Sequence, residues 1–262
     1  MDRWPLVEKD LSKLARPPVV ADLDAERGSF TWEAARARLD GLPGGGLNIA
    51  WEAVHRHVAA HGDRVAMRWV GKDGTVVDIT TAELSRRANR FSNALGALGV
   101  SPGERVFFLL GRVPELVEGV IGTLAARCVA SPLFSAFGPD PIAARITIGE
   151  GVALVTTASL YRKKVAPIRD RLTSLRHVLI VGEGELPEGT TSFAEVMSAA
   201  SDAFEVPPTD PEDMALLHFT SGTTGKPKGA VHVHQAVVHH AASGRFALDL
   251  QEGDVYWCTA DP

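Results

Sequence analysis

One short segment combines the residue types that bind phosphate. Residues 218–234 read HFTSGTTGKPKGAVHVH, so glycines, hydroxyl side chains and lysines lie close together. Glycine allows positive φ, and consecutive backbone N–H groups in such a loop can point at one anion. Hydroxyls add donors, and lysines add positive charge on long side chains. The segment therefore predicts a polyphosphate-binding loop. Its candidate residues are Thr220, Ser221, Gly222, Thr223, Thr224, Gly225, Lys226 and Lys228.

The spacing of this segment differs from that of a Walker loop, which has four residues between its glycines and then Lys and Ser or Thr opening a helix. Here Thr223 and Thr224 alone separate two glycines, and Pro227 follows Lys226. Proline lacks a backbone donor and disfavours helical geometry in the residue before it. Because apolar runs of strand length flank the segment, we predict a loop between two strands. An ordinary turn with solvated lysines is the alternative, and the density of glycines, hydroxyls and lysines argues against it.

The motif TSGTTGKPKG at 220–229 resembles the signature phosphate loop of the adenylate-forming superfamily, which contains acyl-CoA synthetases, firefly-type luciferases and nonribosomal adenylation domains. Residues 47–57, 101–146 and 253–262 resemble the same superfamily. The last stretch, GDVYWCTADP, is similar to the acetyl- and propionyl-CoA synthetase branch in particular. The resemblance thus covers 47–262, nearly everything outside the N-terminal extension.

This resemblance implies an AMP-forming acid–thiol ligase that uses ATP, coenzyme A and Mg²⁺. A small carboxylic acid, with acetate or propionate suggested by the branch, would form an acyl-adenylate with release of pyrophosphate. Coenzyme A would then take the acyl group as a thioester. Family members are much longer, so the magnesium ligand and the domain with the catalytic lysine would lie beyond residue 262. We therefore expect this fragment alone to be inactive. The alternative is a naturally short relative that binds a nucleotide or a partner without catalysis.

The resemblance also implies roles for single residues. Lys226 is expected to stabilise the departing pyrophosphate. His234 is expected beside the acyl carboxylate and the α-phosphate, although the acetyl-CoA synthetase branch has its histidine at the position of His232, and a satisfied structural histidine is the alternative. The two would share a strand face, but without cysteine or carboxylate companions a zinc site is disfavoured. Arg145 is expected at the nucleotide end of coenzyme A, with a solvated helix face as its alternative.

Helix and strand patterns alternate along the chain. Residues 78–99 place apolar side chains on one helical face, 105–110 and 129–134 are of strand type, and a helix is predicted over 159–172. Alternation of this kind predicts an α/β fold with mostly parallel sheets flanked by helices. By resemblance, this is the truncated N-terminal domain of the acyl-CoA synthetase fold.

The cluster LPGGG at 42–46 predicts the end of an N-terminal extension and linker, residues 1–46. Residues 47–262 would then be the incomplete AMP-binding domain. Sheet edges left open at residue 262 would favour self-association.

Composition argues for a cytoplasmic enzyme. Apolar residues make up 45% of the 262 residues, enough for a core. Cys128 and Cys258 form no CxxC pair, so no disulfide framework is expected. The first residues contain no apolar core of signal-peptide length, and no run of about eighteen apolar residues occurs, so we expect neither a signal peptide nor a membrane span. The net charge of −5 gives no basic footprint for nucleic acid.

Overall fold

The computed structural model describes residues 10–221 and 227–258. These residues divide into two compact units. The larger unit consists of residues 40–236, and the smaller unit combines residues 10–39 with 237–258.

The strands all belong to the larger unit. They are β1 (Val65–Val70), β2 (Val76–Thr80), β3 (Arg105–Leu109), β4 (Val129–Pro132), β5 (Gly151–Thr157), β6 (His177–Val181), β7 (Thr191–Ser192), β8 (Met214–Ser221) and β9 (Pro227–Val233). The α-helices are α1 (Leu23–Ser29), α2 (Trp32–Arg36), α3 (Ile49–Ala53), α4 (Val58–His61), α5 (Thr81–Ala97), α6 (Pro114–Ala125), α7 (Pro139–Ile148), α8 (Ala158–Leu160), α9 (Phe193–Ala199) and α10 (Ala236–Phe246).

A seven-stranded sheet with the order β7-β6-β5-β3-β4-β8-β9 forms the centre of the larger unit. Its neighbouring strands are parallel, except that β9 returns antiparallel to β8. Strands β1 and β2 form a separate antiparallel hairpin. The predicted α/β fold with a mostly parallel sheet is thereby confirmed, because the apolar runs that read as strands are joined by helical crossovers.

The sheet is buried on both faces, which explains why its central strands are continuously apolar. In β3, Phe107 and Phe108 point to opposite faces and both are fully buried. Phe108 packs in one cluster with side chains of α5 and α6, and Phe107 packs in a second cluster with side chains of α7. Helices α5 and α6 approach closely at Gly122, which has no Cβ. A Cβ added there would lie 2.5 Å from the carbonyl oxygen of Ala88.

Two element predictions require correction. The helix predicted over 78–99 begins only at Thr81, because Thr80 ends β2 and its hydroxyl caps the helix by accepting from the amide of Glu83 at 3.2 Å. The single helix predicted over 159–172 is instead a short α-helical turn, a π-helical turn at Tyr161–Val165 and a 3-10 segment at Ala166–Arg171. Pro167 lacks the amide that would continue the α-helical ladder.

In the smaller unit, the segment 16–19 is bonded to the turn 249–254. Arg16 donates to the carboxylate of Asp254, and the amide of Val19 donates to the carboxylate of Asp249 at 2.7 Å. Gln251 donates in return to the carbonyl of Pro17 at 3.0 Å. We call this set of bonds the N-terminal clip. Immediately beyond the turn, Val255 and Trp257 are 91% and 84% exposed.

Across 10–221 and 227–258, the helices are too short or too polar to cross a bilayer.

Candidate functional site: the phosphate hairpin

The predicted phosphate loop lies between two paired strands, as expected from the sequence. Strands β8 and β9 are antiparallel, with Thr220 opposite Lys228 and Ser221 opposite Pro227. We call β8, β9 and the residues between them the phosphate hairpin. Five of the candidate residues fall in the segment 222–226, outside the described part of the chain. They are Gly222, Thr223, Thr224, Gly225 and Lys226.

The hairpin has a defined place in the sheet. Because β8 runs parallel to β4, the loop leaves β8 at the edge where the carboxyl ends of the parallel strands meet. In open α/β sheets, ligands bind in crevices outside that edge. The position of the loop therefore agrees with that of a ligand-binding loop.

Strand pairing divides the hairpin into two faces. Side chains opposite one another across an antiparallel pair share a face, and alternate residues share it too. One face consequently carries His218, Thr220, Lys228 and His232, and we call it the polar hairpin face. The rings of His218 and His232 lie edge to face with centroids 5.6 Å apart. A cation, a hydroxyl and two imidazoles lead along this face to the loop, which suits a polyanion.

The other face of the hairpin is apolar and packs on the core. Phe219 stacks on Phe107 with ring centroids 6.3 Å apart, and Leu217 is buried. Gly229 lies opposite Phe219, and a Cβ added there would lie 3.0 Å from a methyl of Leu217. The glycine of the motif therefore serves packing here in addition to any role in the loop.

His218 was not recognised from the sequence. The ring that it contacts on the other strand, that of His232, is half-buried, whereas His218, Thr220 and Lys228 are exposed. Residues 218 and 220 are two positions apart on one strand, and residues 228 and 232 are four apart on the other, so each pair lies on one face of its strand. Once the hairpin register is known, this spacing identifies the polar hairpin face.

Arg145 lies beside the hairpin on its apolar face. Its guanidinium carbon lies 4.1 Å from the centre of the Phe137 ring and 6.0 Å from that of Phe219. One terminal nitrogen donates to the carbonyl of Pro141 at 2.9 Å, whereas Nε is buried without a hydrogen-bond partner among the described residues. Burial lowers the pKa of Arg145. Arg145 is therefore buried and stacked on an aromatic ring, so the alternative of a solvated helix face does not hold for this residue.

His234 lies at the other end of the hairpin from the loop. It follows Lys228 by six residues, which in an extended strand corresponds to about 20 Å. Its side chain is fully buried, and Nδ1 accepts a hydrogen bond from the amide of Ile49 at 3.0 Å. Burial lowers the pKa of His234 to about 4. The structure thus does not bring His234 together with Thr220 and Lys228, whereas His232 shares their face.

Two further observations delimit the site. Within the described ranges, no group of three or more His, Cys, Asp or Glu side chains could hold a metal ion. A small cavity of about 150 Å³ is lined by Pro102, Gly103, Arg127, Asp213 and Met214. These residues precede β3, β4 and β8 or begin β8, so the cavity lies at the amino edge of the sheet, away from the phosphate loop.

The fold and the hairpin define an α/β protein with its candidate anion site at the carboxyl edge of a parallel sheet. A sequence profile described as AMP-binding enzyme matches residues 54–262. The chain therefore belongs to the AMP-binding enzyme family, which confirms the resemblance to acyl-CoA synthetases.

Relatives with curated names agree with this assignment. The chain is 37% identical over 238 residues to an acetyl-coenzyme A synthetase of Bacillus subtilis, a match that covers 89% of this chain and 41% of that protein. It is 31% identical over 258 residues to an acetyl-coenzyme A synthetase of Magnetococcus marinus, covering 92% and 38%. The chain thus spans about two fifths of the length of these relatives.

Solved structures show the same fold. The crystal structure of a Brucella canis acyl-CoA synthetase is similar with a TM-score of 0.80 and 31% identity, over 92% of this chain and 43% of that one. An anthranilate CoA ligase in complex with anthranoyl-AMP is similar with a TM-score of 0.67 and 25% identity, over 79% and 37%.

Proposed function

We propose that this chain contributes the phosphate-binding part of an AMP-forming acyl-CoA synthetase that acts on a small carboxylic acid. One observation carries the proposal: in a member of the AMP-binding enzyme family, the glycine, hydroxyl and lysine segment joins β8 to β9 at the carboxyl edge of the sheet. The names of the relatives, which are acetyl-coenzyme A synthetases, support a short acyl group.

In the first step, a carboxylate oxygen of the acid attacks the α-phosphorus of ATP. The bond between the α-phosphorus and its bridging oxygen to the β-phosphate breaks, and pyrophosphate leaves with the electron pair. Negative charge grows on the departing group, so donors fixed around it lower the barrier. We assign this role to the amides and hydroxyls of 220–225 and to the ammonium of Lys226. Lys228, on the polar hairpin face, adds a second cation beside the loop.

In the second step, the thiol of coenzyme A attacks the acyl carbon of the adenylate. The carbon–sulfur bond of the thioester forms, the bond between the acyl carbon and the phosphate oxygen breaks, AMP leaves with that electron pair, and the thiol proton is released to water. We assign Arg145 to the nucleotide end of coenzyme A, because a buried guanidinium stacked on an aromatic ring suits a phosphate and a planar base.

The histidine beside the reacting carboxylate and α-phosphate we assign to His232. It shares the polar hairpin face with Thr220 and Lys228, whereas His234 is fully buried just beyond the end of β9.

Magnesium is expected with ATP, but the described residues of the hairpin do not fit it. Magnesium prefers carboxylate oxygens, water and phosphate, and the polar hairpin face carries cationic and neutral groups without a carboxylate. No step is therefore assigned to a metal held by this chain. Self-association through an open sheet edge and a cytoplasmic location stay predictions.

The test compares Lys226→Ala with Lys72→Ala, an exposed lysine in the turn between β1 and β2. It uses this chain and a polypeptide that spans the full length of the relatives. In the longer polypeptide, acid-dependent exchange of pyrophosphate into ATP should fall at least about a hundredfold in Lys226→Ala and stay unchanged in Lys72→Ala. Thioester formation from a supplied acyl-adenylate should be retained in both.

This chain alone should bind ATP, and Lys226→Ala should weaken that binding. Nucleotide binding without exchange in the longer polypeptide would support the non-catalytic alternative. Equal losses of both half-reactions in Lys226→Ala would contradict the role of Lys226, and absence of nucleotide binding to either polypeptide would contradict the proposal as a whole.

A further inference from the structure

The base of the phosphate hairpin is held by hydrogen bonds among three buried polar side chains and the backbone amide of one partly buried residue, drawn from three parts of the chain. We call Asn48, Ile49, Thr209 and His234 the base clamp. Asn48 and His234 are 0% exposed and Thr209 is 2% exposed. Buried polar groups of this kind normally specify one arrangement, because leaving any of them unpaired is costly.

His234 connects the end of β9 to the start of helix α3. Its Nδ1 accepts from the amide of Ile49, the first residue of that helix, at 3.0 Å. Its own amide donates to the carbonyl of Asp213 at 3.0 Å, just before β8 begins. Because Nδ1 is an acceptor, the proton of the neutral imidazole resides on Nε2, and that atom is buried without a hydrogen-bond partner among the described residues. His234 thus joins both strands of the hairpin, at their base, to α3.

Asn48 completes the clamp from the other side. Its side-chain oxygen caps α3 by accepting from the amide of Ala50 at 2.9 Å. Its amide nitrogen donates to the carbonyl of Leu124 at 2.9 Å and to the hydroxyl of Thr209 at 3.2 Å. The carbonyl of Thr209 accepts in turn from the amide of Leu47 at 3.0 Å. Helix α3, the end of α6 and the segment before β8 are therefore fixed to one another.

We propose that His234 is a positioning residue: the base clamp sets the orientation of the phosphate hairpin through the imidazole of His234, which itself never touches substrate. The inference rests on the proposed function, because its consequence for activity is the alignment of the phosphate loop with ATP. Two observations support it. Six residues separate His234 from Lys228, a spacing that corresponds to about 20 Å of extended chain, and its acceptor nitrogen is already occupied by the amide of Ile49.

A pair of substitutions separates positioning from substrate contact. The side-chain oxygen of asparagine can take the place of imidazole Nδ1, but asparagine has nothing at the place of Nε2. His234→Asn should therefore preserve the bond to Ile49, whereas His234→Leu removes it and leaves a buried amide unpaired. If His234 positions the hairpin, His234→Asn restores function that His234→Leu loses. If Nε2 contacts substrate, both variants lose it.

The kinetic test uses the longer polypeptide in the pyrophosphate-exchange assay. We expect His234→Leu to raise KM for ATP about tenfold to a hundredfold, since small displacements of binding groups have effects of that size. His234→Asn should stay within about threefold of the unaltered enzyme. Asn48→Ala should reproduce the effect of His234→Leu, and the double variant should show less than the product of the single effects, because both residues act through one clamp. Equal loss in His234→Asn and His234→Leu would overturn the proposal.

A measurement on the 262-residue chain separates failure of this inference from failure of the proposed function. Hydrogen exchange of the Ile49 amide should accelerate in His234→Leu and stay protected in His234→Asn, with His232→Asn as the matched control on the same strand. An Ile49 amide that exchanges equally in all variants would overturn the clamp even in an active enzyme. The opposite result is also informative. If the chain binds no nucleotide, but the Ile49 amide loses its exchange protection only in His234→Leu, the proposed function is contradicted and the base clamp is supported.

Discussion

The guanidinium of Arg145 stacks over the ring of Phe137, with 4.1 Å between the guanidinium carbon and the ring centre. Phe137 follows β4, whose carboxyl end lies at the edge from which the phosphate loop leaves β8. The stacked cation therefore lies at the same edge of the sheet as the loop. This arrangement uses a planar, delocalised charge, which lysine lacks.

Arg145→Lys should therefore weaken coenzyme A binding although it keeps the positive charge. We expect about a tenfold higher Kd for coenzyme A in the longer polypeptide, the size of one lost stacked or bidentate contact, with acyl-adenylate formation unchanged. Isothermal titration and separate assays of the two half-reactions measure this. Arg162→Lys is the control, because Arg162 is half-exposed in the following helical segment. Unchanged affinity for coenzyme A in Arg145→Lys would remove Arg145 from the site.

Acid should destabilise the larger unit through two histidines, one fully buried and one partly buried. Burial lowers the pKa of both His55 and His234 to about 4, whereas in the unfolded chain a histidine has its usual pKa of about 6.5. Below pH 6.5 the unfolded state therefore binds more protons than the folded state. Stability is fully present above about pH 6.5 and falls as the pH decreases toward 4, by at most about 3 kcal/mol for each histidine.

Urea denaturation between pH 7.5 and pH 4.5 tests this dependence. Replacing one of these histidines, as in His55→Phe, should reduce the slope of the unfolding free energy against pH. The exposed His239 provides the control, and His239→Gln should retain the slope. A free energy of unfolding that is constant from pH 7 to pH 5 would contradict the lowered pKa of these two imidazoles.

Gly122→Ala should strongly destabilise the protein, because the new methyl group would lie 2.5 Å from the carbonyl oxygen of Ala88 and 2.9 Å from Cβ of Phe91. Relief would require helices α5 and α6 to separate, which costs about 1–3 kcal/mol or more. Gly96→Ala is the matched control on α5, since nothing lies within 4 Å of its added Cβ. That control should be neutral or more stable by up to about 1 kcal/mol. Thermal denaturation of both variants measures the difference, and equal stability would contradict the close approach of the helices.

Arg16→Ala should loosen the turn 249–254, because it removes donors to the carboxylate of Asp254 and to the carbonyl of Glu252. Limited proteolysis should then cleave several-fold faster within 247–258. Arg27→Ala is a suitable control, since Arg27 approaches Asp24 only at 3.9 Å on an exposed surface. If both variants are cleaved at the rate of the unaltered chain, the N-terminal clip does not hold the turn.

Much of the architecture followed from local patterns. The apolar runs on either side of the glycine-rich loop predicted the two strands of the hairpin, and Pro227 excluded a helix directly after Lys226. The burial of His234 did not follow, because its partner Ile49 lies 185 residues away in sequence. The polar hairpin face could not be predicted either, because it depends on the register between β8 and β9, which the sequence of a single strand does not reveal. Position along the sequence put His234 near the loop, whereas strand geometry places it at the base.

The pairing between β4 and β8 has a consequence for the order in which the protein folds. Within the described ranges these strands share one register pair, Ala130 with Leu216, and the hydroxyl of Ser131 reinforces it by donating to the carbonyl of Leu217, 86 residues further along the chain. Closing so long a loop is slow, because its entropy is lost before contacts compensate for it. We expect β3 to β6 to assemble first and the hairpin to dock last, which stopped-flow refolding with pulsed amide labelling would detect. The protein would then acquire the edge of the sheet that carries the hairpin only after its core has formed.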